Sequence, residues 1–329
     1  VAVDAGGDEI AVWQSVLGIQ AATRAAGGGW LAPQTVARPN GQPQVASDAS
    51  GDVIIVAQRN RSGRSTGIRA VLRPSGEDTF SPAQAISAPD NDFEQRIAIN
   101  ARGDAVVAWE RQPAHGCIVE AAFRPANRRW SRPRALADAH ADCQPWESRV
   151  AIDDRGDLVV AWLTWRGRTG FLESASRSAN GHWTARRILA KAPGIGWTVD
   201  LGMDARGDAI VVWLEYALKG HGDSATWMRI RPAGRAWGPA QKIPGGANGT
   251  PSLAVDPRGD ALIAWKDKRG IEAAARPADG RWQKPYIVSG HERSHVGVAL
   301  AALDARGDAM VTWQNDGGIV TAWASALFP

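Results

Sequence analysis

Apolar and polar residues alternate along this chain in short runs that return on a regular beat. Seven times, apolar residues lead into Asp or Asn, two further residues, Gly-Asp, four mostly apolar residues and usually Trp. The copies are VAVDAGGDEIAVW from Val1, VASDASGDVIIVA from Val45, IAINARGDAVVAW from Ile97, VAIDDRGDLVVAW from Val150, LGMDARGDAIVVW from Leu201, LAVDPRGDALIAW from Leu253 and AALDARGDAMVTW from Ala301. The first turn residue falls at Asp4, Asp48, Asn100, Asp153, Asp204, Asp256 and Asp304, in steps of 44, 52, 53, 51, 52 and 48 residues. Each unit has a second half. An alternating stretch ends in Arg (Arg24, Arg73, Arg124, Arg177, Arg231, Arg276). Turn residues follow, then an aromatic (Trp30, Phe80, Trp130, Trp183, Trp237, Trp282), often with Pro two or three residues on.

This pattern predicts four strands per unit. The first runs into the Asp-x-x-Gly-Asp turn, where Gly permits positive φ and Asp bonds nearby amides. The second is rich in Val, Ile and Trp, which suit a pleated buried surface. The third alternates with period two, as in IEAAAR from Ile271. The fourth is expected to start at the aromatic, with its Pro at a strand end or outer edge. Four-strand units of about 40 to 50 residues are the signature of propeller blades. The predicted fold is therefore all-β: one seven-bladed β-propeller of four-stranded antiparallel blades over residues 1–329. The blades fall at about 1–44, 45–95, 96–148, 149–199, 200–251, 252–299 and 300–329. A solenoid of the same hairpins is the rival, disfavoured because no unit with a polar outer face caps the array. After Trp313 the seventh unit holds a loop, a third strand around Ile319 to Ala324, and little beyond, although Phe328 stands where an aromatic is due. The last blade is therefore expected to have three strands.

Composition narrows the setting. Hydrophobic residues make up 44% of the chain, enough for a sizeable core. No apolar run approaches the roughly 18 to 20 residues of a membrane span, and no signal peptide is visible. The net charge of +4 is small and spread out, without the basic runs that track a phosphate backbone. Neither a nucleic-acid partner nor a membrane span is expected. No cofactor signature is present, and none is expected.

The repeat resembles those of secreted bacterial β-propellers of the broad class that includes sialidase-like and lectin-like rings. The resemblance covers the whole chain and is architectural. The sialidase Asp-box lies between the last two strands of a blade, whereas Asp-x-x-Gly-Asp here lies between the first two. No sialidase catalytic residue carries over. The resemblance implies a secreted, periplasmic or cell-surface protein.

Several residues invite chemistry. Five turns read Arg-Gly-Asp, beginning at Arg102, Arg155, Arg206, Arg258 and Arg306. Turn preference explains their Gly and Asp without a receptor. One such turn is too poor in oxygens for calcium, which needs about six to eight. The repeated Arg ending the third strand is a simpler partner, in an ion-pair belt with the turn carboxylates. Of 16 tryptophans, thirteen fit packing between blades, among them Trp227 and Trp323 in third strands. Trp146, Trp165 and Trp197 remain, in the loops of blades three to five, and Phe93 and Tyr216 occupy equivalent loops. Asp90, Asp92, Glu94, Asp142, Glu147, Glu215 and Asp223 accompany them. Exposed rings with carboxylates suit a sugar, or a peptide hot spot. The candidate ligand-binding set is Phe93, Trp146, Trp165, Trp197, Tyr216, Asp92, Glu147 and Glu215; packing of these rings onto their own loops is the alternative.

His115, His140, His221, His291 and His295 read as loop residues, and His182 as a turn residue. Cys117 and Cys143, the only cysteines, are expected to form a disulfide, because their loops emerge together. Zinc held with His115 and His140 is disfavoured by spacing, and no metal site is expected. Asn248-Gly249-Thr250 is a sequon only in a glycosylating host. No nucleophile elbow or zinc-protease motif occurs. The expected function is an extracellular module binding glycan or protein through the loops of blades three to five. The alternative is a secreted glycoside hydrolase or polysaccharide lyase.

Overall fold

The computed structural model describes residues 1–329 except 38–40, 62–63, 90–91, 114–115, 138–142, 218–223, 246–248, 290–296, 326 and 328–329; residues 60, 61, 64 and 143–146 are described in backbone only. Seven antiparallel sheets follow one another along the chain, each with its strands in sequence order. Six have four strands and the last has three, Leu300–Leu303, Ala309–Asn315 and Gly318–Ala324. The chain is a seven-bladed β-propeller whose last blade is three-stranded. It divides into two compact units, Val1–Val160 and Ala161–Pro329, the division falling within the second strand of blade four, Leu158–Arg166.

Within each unit, successive blades pack through the alternating faces of their second and third strands. Ile54, Val56, Ile68 and Ala70 of blade two meet Ala105, Val107 and Trp109 of blade three. Ile210, Val212 and Met228 of blade five meet Ala261, Ile263 and Trp265 of blade six. One face of a strand serves the blade before and the other the blade after, so these strands are apolar on both sides. Complete burial of each large side chain contributes roughly 1.5–3 kcal/mol.

The repeated turns are self-sufficient. In blade four the Asp153 carboxylate accepts hydrogen bonds from the amides of Arg155 and Asp157, at 2.9 and 2.8 Å. Asp204, Asp256 and Asp304 do the same in their own turns. The second aspartate ties the blade's two ends of hairpin together: Asp52, Asp104 and Asp208 accept from the amides of Ser75, Ala126 and Ala233 at 2.7, 2.8 and 2.7 Å. Both acids of the motif thus hold backbone. Arg102 pairs with Asp104 at 3.2 Å, Arg206 with Asp204 at 3.2 Å, and Arg258 with Asp256 at 3.0 Å. In these three turns the Arg-Gly-Asp arginine is folded back on its own turn.

Three expectations need correction. The aromatic does not open the fourth strand. Fourth strands begin later: Arg187–Ala192 has no Pro before it, and the others are short and begin after a Pro, as at Gln34–Ala37, Gln84–Ala85 and Tyr286–Ile287, since Pro lacks the amide a ladder needs. The expected pairs with the turn carboxylates are not what Arg24 and Arg73 show: Arg24 lies over Trp30 at 5.2 Å and pairs with Glu9, outside the turn, and Arg73 lies over Phe80 at 5.8 Å. The turn carboxylates reach this series as a field, Asp52, Asp104 and Asp48 favouring the charge that burial disfavours on Arg124. Finally, not every repeat tryptophan is packed between blades. Trp109, Trp162, Trp213, Trp265 and Trp313 are buried, but Trp30 is 46% and Trp323 77% exposed. Trp30 precedes its short strand in a connection, and Trp323 lies on the outer edge strand of the three-stranded sheet.

Candidate ligand site

The residues expected in loops stand mostly on strands, because the first and second strands run further than their apolar cores. In blade three the first strand is Asp92–Ile99. Arg96 pairs with Ala108 and Phe93 with Glu110, so Glu94 and Gln95 together face Trp109 in a bulge. Glu94 takes up the extra length at φ 52°. The first strand of blade four, Cys143–Ile152, repeats the positive φ, with Glu147 at 55°. The tetrad Phe93-Glu94-Gln95-Arg96 thus recurs as Trp146-Glu147-Ser148-Arg149. In both, the arginine turns back. Arg96 reaches Glu94 at 3.3 Å and the Gln95 carbonyl at 3.1 Å. Arg149 pairs with Glu147 and donates to the Ser148 carbonyl at 3.0 Å.

Glu110, on the second strand Ala105–Arg111, faces this doubled motif. It is 1% exposed, and neither carboxylate oxygen has a hydrogen-bond partner. Burial pushes its pKa up to about 8, helped by the nearby charges of Glu94 and Glu147 and opposed by Arg96. A carboxyl in such a place keeps its proton at neutral pH. Burial and the neighbouring Arg149 disfavour the Arg96 charge, while Glu94, Glu147 and Glu110 support it. Asp92, expected among the ligand carboxylates, is instead buried within the blade and accepts a hydrogen bond from the Ser87 hydroxyl. The half-buried Phe93 remains beside Glu94. The side chains of Trp146 and Cys143 lie outside the described residues, as do Asp90, Asp142, Asp223, Asn248, Phe328 and every histidine except His182.

The second unit brings three of the named aromatics together. Trp165, near the end of Leu158–Arg166, stacks on Trp197 with ring centroids 4.5 Å apart and planes 21° from parallel. Trp197 is 47% exposed and Tyr216 45%. A bulge again explains the placement. Ile195 pairs with Glu215 and Val199 with Trp213, so Gly196, Trp197 and Thr198 face Leu214 alone. Small residues make room for the rings. A Cβ on Gly170 would stand 3.2 Å from Trp165 Nε1, and one on Gly196 would stand 3.2 Å from Tyr216 Cε2. Glu215 is held by the Trp213 indole N–H at 3.0 Å.

The same unit holds a carboxylate that the repeat conceals. Glu173, fully buried on the third strand Thr169–Arg177, accepts from Trp162 Nε1 at 3.0 Å and Arg166 at 2.9 Å, and pairs with Arg186. Arg166 also covers the Phe171 ring at 4.6 Å. Glu120 and Glu272 hold the corresponding positions in blades three and six, paired with Arg111 and Arg269. A glutamate at one fixed place in otherwise apolar third strands, IVE, FLE and IE, was the available signal. Among the described residues, no group of three or more His, Cys, Asp or Glu side chains is placed to hold a metal ion. No free cysteine occurs among them either, and Cys117 is buried.

No family model matches this chain, and no curated protein matches it in sequence. Solved structures do resemble it. The polysaccharide lyase Uly1 is 9% identical, with a TM-score of 0.64 over 96% of this chain and 87% of that one. An α-L-arabinofuranosidase from Fusarium graminearum, in complex with an iminosugar inhibitor, is 12% identical with a TM-score of 0.51, over 86% and 92%. The Penicillium chrysogenum α-L-arabinanase complexed with arabinobiose is 11% identical with a TM-score of 0.50, over the same shares. At these identities the likeness is one of fold.

Proposed function

We propose that the chain binds carbohydrate outside the cytoplasm, with Trp165, Trp197 and Tyr216 as its platform. The observation that carries this reading is the stacked indole pair, with Trp197 half exposed on a more buried Trp165. A face of this kind offers an apolar, polarisable surface to the C–H side of a sugar ring, and it loses little side-chain entropy when it does so. Glu215, one residue from Tyr216, is an acceptor for hydroxyls. The carbohydrate-acting names of structural neighbours support the same class of ligand. Secretion fits a bond between Cys117 and Cys143, which belongs to oxidising compartments. A glycan-array screen of the intact chain tests the proposal: retention of a defined set of neutral or acidic glycans supports it, and a blank array with a binding-competent lectin control contradicts it.

A second reading, a carbohydrate-active enzyme, is favoured by one observation. A carboxyl that keeps its proton at neutral pH stands among other carboxylates at Glu110, as acid–base sites require. Release of reducing ends or unsaturated products from the retained glycans decides for it.

A further inference from the structure

The geometry points to a second sugar subsite in the first unit, at the end of blade three where Asp92–Ile99, Ala105–Arg111 and Cys143–Ile152 meet, with Glu110 as the buried hydrogen-bond donor to a neutral, hydroxyl-bearing residue of the ligand. The inference rests on the carbohydrate reading above but uses none of its aromatics.

Three observations converge. First, Glu110 is buried with both oxygens unpartnered, a cost that a ligand hydroxyl would relieve. Second, Glu94 and Glu147 are held at positive φ in adjacent blades. For a non-glycine residue this is strained backbone, and such strain gathers at functional sites. Among the described residues only Asn127, in a turn, shares that conformation. Third, the rim is arranged for a polyol. Glu94 is the most exposed of its charged groups, Arg96 and Arg149 are partly exposed beside it, and Phe93 offers half a ring opposite Glu110.

Charge selects the ligand class. The charged groups acting on Glu110 are Glu94 and Arg96 from its own sheet and Glu147 from the next blade, with Arg149 of that blade beside Arg96. Its neighbour on the third strand is the apolar Val119, and the Arg111–Glu120 pair shares the strand's other face with Trp109. The two arginines are each paired to a glutamate, and Glu110 carries its proton, so the cluster is near neutral. A ligand carboxylate would meet two glutamates and arginines already engaged. A ligand cation would meet two arginines. A neutral sugar residue, with hydroxyls that both donate and accept, matches carboxylates, guanidiniums and a protonated carboxyl together.

Calorimetric titration of the intact chain tests this, using arabinobiose and a panel of neutral and uronic disaccharides as probes. The proteins are the parent and Glu110→Gln, Glu110→Leu and Trp197→Ala, each checked for folding by circular dichroism. The expected result is that parent affinity for a neutral probe falls about tenfold between about pH 6 and about pH 9, as the donor is lost. Glu110→Gln, whose amide still donates, should bind without that pH dependence, and Glu110→Leu should bind about tenfold more weakly throughout. Should Glu110→Leu fail to fold, the flat profile of Glu110→Gln against the sloping parent still decides. A flat parent profile overturns the inference, and so do full affinity in Glu110→Leu and a preference for uronic probes. Loss with Trp197→Ala but indifference to Glu110 leaves the carbohydrate reading standing and removes this subsite. Dependence on Glu110 without dependence on Trp197 keeps the subsite and removes the indole platform. Silence with every probe contradicts both.

Discussion

Glu110 titrates near 4.5 in an ordinary solvated setting and at about 8 in the folded chain. Between those values the folded chain holds a proton that the unfolded chain has lost. Stability from this residue is therefore full below about pH 4.5, falls as pH rises toward 8, and changes no further above it. Glu110→Gln stays neutral throughout, so its melting temperature should decline less between about pH 5 and about pH 9 than the parent's. Scanning calorimetry across that range checks this; parallel profiles would show that Glu110 ionises freely in the fold. None of this was legible at the residue itself. In the run AVVAWERQ, Glu110 reads as the polar end of a strand. Its burial comes from the bulge at Glu94 and Gln95 and from the strand of the next blade, and neither follows from local pattern. Asp92 failed the opposite way: its loop-like surroundings hid a strand start sealed by Ser87.

At the scale of the elements, the turn was the most legible feature, because each of its polar groups has a local task. Gly103 shows how tightly it is built. Its φ is 88°, and a Cβ there would stand 2.9 Å from Asp48 Oδ2 of the preceding blade. Gly103→Ala should destabilise the chain by about 1–3 kcal/mol, through left-handed backbone strain and the close approach together. Arg102→Ala, removing an exposed partner from the same turn, should cost at most about 1 kcal/mol. Urea unfolding of the two variants measures both, and equal effects would contradict the assignment of the turn's stability to its glycine and acids. The extended ends of the strands were the illegible part. Trp165 follows and Trp197 precedes the apolar core of its strand, and both so resemble loop residues. In blade five, pairing resumes at Ile195 and Glu215 after three residues bulge outward, and a period-two reading stops at such an irregularity.

For the whole molecule, self-similarity did what no single segment could. Seven related units, the last with three strands, were readable from spacing alone. The ligand was not, since ligand residues are by nature those the repeat does not share. The proposed Cys117–Cys143 bond is open to direct test: thiol titration of unfolded, unreduced protein should find no free cysteine, and two free thiols would remove that bond and the support it would lend to secretion. The carbohydrate platform itself is tested most directly by one comparison, the affinity of the best array glycan for the parent chain and for Trp197→Ala at neutral pH. Removing an exposed stacking ring should weaken binding by at least about tenfold, with the melting temperature little changed because Trp197 is half exposed. Unchanged affinity in a folded Trp197→Ala chain would contradict the assignment of this surface to sugar.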